Sequence, residues 1–117
     1  MDNTVTIYHN PRCSKSKQAL ELLEEEGVTP DVINYLNKPP SADKLRELLG
    51  MLGIGARGLL RKSEQEYADL NLADSSLSED QLIQAMVKHP KLIERPIVVA
   101  GGKAVIGRPP EKVLDLI

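Results

Sequence analysis

The chain has one cysteine, Cys13, in the stretch YHNPRCSKSK at residues 8–17. His9, Arg12, Lys15 and Lys17 stand around it, and no acidic residue falls between Tyr8 and Gln18. A cysteine reacts as its thiolate, and positive surroundings hold the thiol below its free pKa of roughly 8.5. A lone cysteine is more often a small buried hydrophobe, but a turn this rich in charge is a poor place to bury one. The residue types therefore point to nucleophilic or redox chemistry at Cys13.

Two details narrow that chemistry. The segment after Cys13 opens on Lys15 and Lys17 and closes on Glu24, Glu25 and Glu26. A helix normally places acids in its first turn and cations in its last, each worth about 0.3–1 kcal/mol. The reversed order suggests a helix start meant to hold an anion: the thiolate, a substrate oxyanion, or both in turn. Ser16 stands where a C-x-x-C oxidoreductase has its second cysteine. An adduct on Cys13 must then be resolved by an external thiol.

The elements that position these residues can be read from periodicity. TVTIY at 4–8 is β-branched and alternating, which predicts a strand. SKSKQALELLEEEG predicts a helix with a stripe of Ala19, Leu20, Leu22 and Leu23 and a stop at Gly27. Cys13 thus falls between strand and helix, facing the helix's unpaired N–H groups and the positive end of its dipole. A second strand around Val32 and Ile33 completes a βαβ unit, whose strands are expected to be parallel with a right-handed crossover.

Residues 40–90 read as a helical insert. Ser41 precedes Leu45, Leu48, Leu49 and Leu52 at helical spacing, Leu59 and Leu60 mark a shorter helix, and Ser78 with Gln81 forms a capping box before Leu82, Ile83, Met86 and Val87. His89-Pro90 ends that helix. Ile97 to Ala100 and Lys103 to Ile106 read as a hairpin about Gly101-Gly102. Pro109-Pro110 then opens a last helix with Val113, Leu114 and Ile117. The expected fold is α/β, with βαβ, helical insert and ββα building a mixed four-stranded sheet in a single domain over 1–117.

Composition bounds the rest. With 41% hydrophobic and 27% charged residues the chain is of ordinary globular make-up, and a net charge of −2 argues against nucleic-acid or anionic-membrane binding over the whole surface. One cysteine and two histidines leave no all-cysteine metal cluster and no internal disulfide. The first ten residues lack a signal-peptide pattern and no apolar run is long enough for a bilayer, so a cytoplasmic location is expected.

With TIYHNPRCSKS, YLNKPPS, GLLRK, KHPKLIERPIVV and GRPPEKVLDLI in view, the chain resembles the glutaredoxin-dependent arsenate reductase family, in its short arsenate-reductase-like branch. The resemblance implies a thioredoxin-like fold with a cis Arg95-Pro96 bond facing the site. It implies Cys13 as the nucleophile on arsenate and His9 and Ser16 as groups tuning the thiolate. Arg61, Arg95 and Arg108 match the family's three oxyanion-binding arginines. It further implies glutathione as co-substrate and glutaredoxin as partner, with no metal and no bound organic cofactor. Arginine's planar fork suits a tetrahedral oxyanion. Two other activities share these features: an Spx-type transcription regulator that binds RNA polymerase, and a glutathione-linked thiol-transferase. Ser16 argues against the disulfide switch of the former, and the arginine set argues for anion chemistry.

Overall fold

A computed structural model describes residues 4–117. β1 (Val5–His9) is an inner strand of the sheet, with every residue but Thr6 buried and Ile7 completely so. It pairs in parallel with β2 (Asp31–Asn34), Ile7 opposite Val32. On its other side it runs antiparallel to β3 (Ile97–Ala100), Ile7 opposite Val98. β3 continues antiparallel to β4 (Lys103–Ile106), giving a mixed sheet of order β2-β1-β3-β4. The β3–β4 turn is Gly101-Gly102, both at positive φ, +58° and +77°, as a two-residue turn matched to strand twist requires.

α1 (Ser14–Glu25) connects β1 to β2. Its buried positions are Ser16, Ala19 and Leu23, a helical stripe that reaches back to the turn holding the cysteine. The helix stops at Gly27, which is left-handed at φ +79°. The Gly27 N–H donates to the Glu24 carbonyl at 3.0 Å and the Val28 N–H to the Leu23 carbonyl at 2.9 Å, the paired bonds of a Schellman stop. Val5, Ile7, Ala19, Leu23, Val98 and Val113 form the core of this unit.

The chain's last helix differs from the sequence expectation. Pro110–Leu116 is a 3-10 helix, with the Lys112 N–H on the Pro109 carbonyl at 3.1 Å. Its buried residues are Pro110 and Val113, one three-residue turn apart; Leu114 and Leu116 are both half-buried against the core and Ile117 is 48% exposed. The expected α-helical stripe of Val113, Leu114 and Ile117 is therefore corrected at its last member.

The chain divides into two compact units, one of residues up to Lys38 with Arg95–Ile117, the other Pro39–Glu94. The second contains α2 (Ala42–Leu52), α3 (Ala56–Leu59), α4 (Gln65–Asp69) and α5 (Glu79–Lys88), then a short 3-10 turn, Pro90–Leu92. Ser41 caps α2 by accepting the Lys44 N–H at 3.1 Å, and Ser78 with Gln81 makes the expected capping box on α5. Leu45, Leu48, Leu59, Ile83, Met86, Leu92 and Ile93 are its largest fully buried side chains. Leu60, expected in the short helix, instead leaves α3 in extended conformation and bridges Ile93. α4 has no buried residue, and without an apolar stripe nothing in the sequence marked it.

Candidate active site

His9 is the last residue of β1 and Ser14 the first of α1, so residues 10–13 make the whole turn between them. The Cys13 N–H donates to the Asn10 carbonyl at 3.0 Å, and the Cys13 carbonyl accepts the Lys17 N–H at 3.0 Å, the first bond of the helix. Cys13 is thereby the N-cap residue, in extended conformation at φ −95° and ψ 120°. The helix has no acid in its first turn and no base in its last, as the sequence indicated.

The sulfur is partly exposed and surrounded by donors. Arg108 Nη2 donates to Cys13 Sγ at 3.3 Å. Partial burial pushes the thiol pKa up, but the Ser16 N–H, the Arg95 side chain, the Arg108 charge and the Lys15 N–H all favour thiolate. Their sum holds the pKa below its ordinary value. Lys15 and Ser16 act here through the N2 and N3 backbone donors of α1, the pair that an N-cap side chain normally meets.

The two arginines reach the sulfur because two loops of the sheet unit are tied together. The Gly107 N–H donates to the Pro96 carbonyl at 2.9 Å, and Arg108 Nε donates to the Arg95 carbonyl at 2.8 Å. Both Arg95-Pro96 and Arg108-Pro109 are cis; the second was not expected. Gly107 permits the approach: a Cβ there would lie 2.8 Å from Pro96 Cγ, 3.1 Å from Val113 Cγ1 and 3.4 Å from Ala19 Cβ.

Behind the cysteine, Ser16 is fully buried and His9 and Asn10 nearly so. Ser16 Oγ accepts the Asn10 N–H at 3.1 Å and lies 2.6 Å from His9 Nδ1. Burial first, and then the Lys17 charge, lower the His9 pKa, so the ring is neutral at pH 7. Either neutral tautomer satisfies the contact, because a hydroxyl both donates and accepts. Ser16 therefore faces the interior in the place where a second cysteine would otherwise stand.

Arg61 belongs to the helical unit. Its Nη1 donates to Glu94 Oε1 at 3.3 Å, its Nε pairs with Glu64 Oε1 at 3.5 Å, and its backbone N–H donates to the Leu92 carbonyl at 2.7 Å. Arg12, Lys15 and Lys17 are exposed, and among the described residues none of them is paired with a carboxylate. No group of three or more His, Cys, Asp or Glu side chains among the described residues is placed to hold a metal ion. No helix there is long and apolar enough to cross a membrane.

Residues 8–116 match the model of the ArsC family. The chain belongs to the ArsC family. It is 62% identical over 118 residues to the uncharacterized protein YfgD of Escherichia coli (strain K12), covering 100% of this chain and 99% of that protein. It is 46% identical over 110 residues to the arsenate reductase of Neisseria meningitidis serogroup A, covering 93% of this chain and 94% of that one. Among solved structures, the arsenate reductase from Vibrio cholerae superposes with a TM-score of 0.96 at 52% identity, each chain covered fully. The thioredoxin-like sheet and the cationic cysteine turn are thus set in a known ArsC frame. Within it, one contributor was not singled out from sequence. Asn10 bonds to Arg12 and Cys13 of the turn and to Ser16 of α1, and its only advance signal was the Asn-Pro dipeptide, a common turn opener.

Proposed function

We propose that this protein reduces arsenate to arsenite, with Cys13 as the nucleophile. The observation that carries this reading is the Arg108 guanidinium on Cys13 Sγ with Arg95 beside it. A thiolate and two forks suited to oxyanion oxygens then meet at one point. The kinship with proteins named arsenate reductase supplies the identity of the oxyanion.

In the first step the Cys13 thiolate attacks arsenic, a sulfur–arsenic bond forms, and one arsenate oxygen leaves as water after protonation. Arg95 and Arg108 neutralise the remaining oxygens as charge shifts onto them. The family resemblance implies Arg61 as a third arginine for the oxyanion; within the helical unit its side chain is held by Glu64 and Glu94. His9 and Ser16 hold the turn behind the thiolate.

Reduction of arsenic(V) to arsenic(III) takes two electrons, supplied by two thiols that end as one disulfide. Overall, arsenate and two thiols give arsenite, a disulfide and water. Ser16 cannot supply either thiol, so both reducing equivalents come from outside: glutathione attacks the adduct and glutaredoxin completes the transfer. The exposed cations Arg12, Lys15 and Lys17 suit glutathione, which is anionic at neutral pH.

The deciding experiment is turnover of arsenate with glutathione and glutaredoxin, together with the mass of the protein after incubation with arsenate and glutathione. Wild type should form an arsenate-dependent adduct and release arsenite, and Cys13→Ser should do neither. Equal turnover in Cys13→Ser would remove the cysteine from the reaction. Release of arsenite by neither protein would remove arsenate as the substrate.

A further inference from the structure

Asn10 is buried, yet no step of the reduction uses it. Its three hydrogen bonds span the turn. The side-chain Oδ1 accepts the Arg12 N–H at 2.9 Å, the carbonyl accepts the Cys13 N–H at 3.0 Å, and the N–H donates to Ser16 Oγ at 3.1 Å. One residue therefore fixes the backbone N–H groups of Arg12 and Cys13, leading into the nucleophile, and also the hydroxyl that meets His9.

The side-chain bond is an Asx turn, and aspartate closes such a turn as readily as asparagine does. Aspartate has the same shape and the same acceptor, and differs here by one negative charge. Every charged group from residue 8 to residue 18 is a cation or the thiolate itself. We propose that Asn10 is a positioning residue for the reaction centre: its neutral carbonyl closes the turn that aims Cys13, where the equivalent carboxylate would close the same turn but repel the thiolate and the incoming oxyanion. This rests on the arsenate reading for its substrate arm and stands without it for its thiol arm.

Two functions, geometry and charge, are separable by two variants. Asn10→Asp keeps the acceptor and adds the charge; Asn10→Ala removes the acceptor and adds none. Three readouts apply to each: the thermal unfolding midpoint, the rate of Cys13 alkylation by iodoacetamide against pH, and kcat/KM for arsenate. A unit charge across a short turn near the surface changes thiolate population by about tenfold.

Asn10→Asp should stay folded, with a cooperative unfolding transition, but alkylate about tenfold more slowly on the acidic limb of the profile, with kcat/KM reduced by at least that factor. Asn10→Ala should keep an alkylation profile closer to wild type than Asn10→Asp does. Its kcat/KM should fall roughly tenfold, because the sulfur is less well aimed. Wild-type alkylation in Asn10→Asp overturns the charge half of the proposal. Wild-type kcat/KM in Asn10→Ala overturns the positioning half. If the wild type fails to reduce arsenate, the alkylation arms still decide the charge half, and the mass of the thiol adduct formed with glutathione disulfide in place of turnover decides the positioning half: Asn10→Ala should form it more slowly, and wild-type speed overturns it.

Discussion

Arg108 offers the sharpest test of how the site makes its thiolate. Its Nη2 lies 3.3 Å from the Cys13 sulfur. Two unit charges at that separation attract by about 5 kcal/mol at an effective dielectric of 20 and by about 1.3 kcal/mol in bulk water. Cys13 is partly open to solvent, so the lower half of that interval applies, about 1.4–3 kcal/mol. Arg108→Met should therefore leave roughly 10- to 100-fold less thiolate at any pH below the titration midpoint. The assay is the second-order rate of alkylation by iodoacetamide from pH 5 to pH 9, with circular dichroism to confirm the fold. Arg108→Lys separates the two tasks of the side chain. It keeps a charge near the sulfur, so alkylation should stay much closer to wild type. It cannot hold both the sulfur and the Arg95 carbonyl, now met by Nη2 and Nε, so the arsenate KM should rise by about tenfold or more. A folded Arg108→Met that alkylates at the wild-type rate across the whole range would refute the reasoning.

The other predictions concern the frame around that contact. Gly107→Ala, whose new methyl would meet Pro96 and Val113, should lower stability in urea by about 1–3 kcal/mol; an unchanged midpoint would show that the two loops have room to part. His9 has a lowered pKa in the fold, so below about pH 6.5 the unfolded chain takes up a proton that the native chain refuses. Stability should consequently fall with falling pH in that window, and His9→Gln should lose less than wild type between pH 7.5 and 5.5 in parallel urea titrations. Arg12, Lys15 and Lys17 should make the glutathione step weaken with added salt more steeply than the same step with an uncharged thiol; parallel slopes would remove these cations from reductant recognition.

Much of this arrangement was legible in the residues, for identifiable reasons. Cys13 could be placed at a helix start because strand-like TVTIY and helix-like SKSKQALELL leave room only for a short turn between them. The hairpin followed from Gly101-Gly102, and the α5 start from Ser78 and Gln81, since caps and tight turns are local interactions. What local rules could not supply was the tightening of Pro110–Leu116 into a 3-10 helix, which moved Ile117 outward. α4 was missed for a related reason, having no buried face to leave a period in the sequence. Ser16 stands in sequence at the second cysteine's place of a C-x-x-C motif, but its burial comes from sharing a helix face with Ala19 and Leu23. Counting back from Leu23 by seven and four would have shown it.

The site's electrostatics have a consequence for rate. Lowering a thiol's pKa increases the thiolate fraction but weakens each thiolate as a nucleophile, since nucleophilicity falls with basicity. Donors that only stabilised the resting sulfur would gain little. Here the side chains that hold it are Arg95 and Arg108, guanidinium forks matched to an oxyanion. In the proposed reaction, as the sulfur's charge passes into the bond with arsenic, negative charge grows on the arsenate oxygens, and the same two forks can follow it. The backbone donors of Lys15 and Ser16 cannot move in that way, because α1 fixes them. The helix start therefore holds the thiolate at rest, while in the proposed reaction the arginines favour its attack.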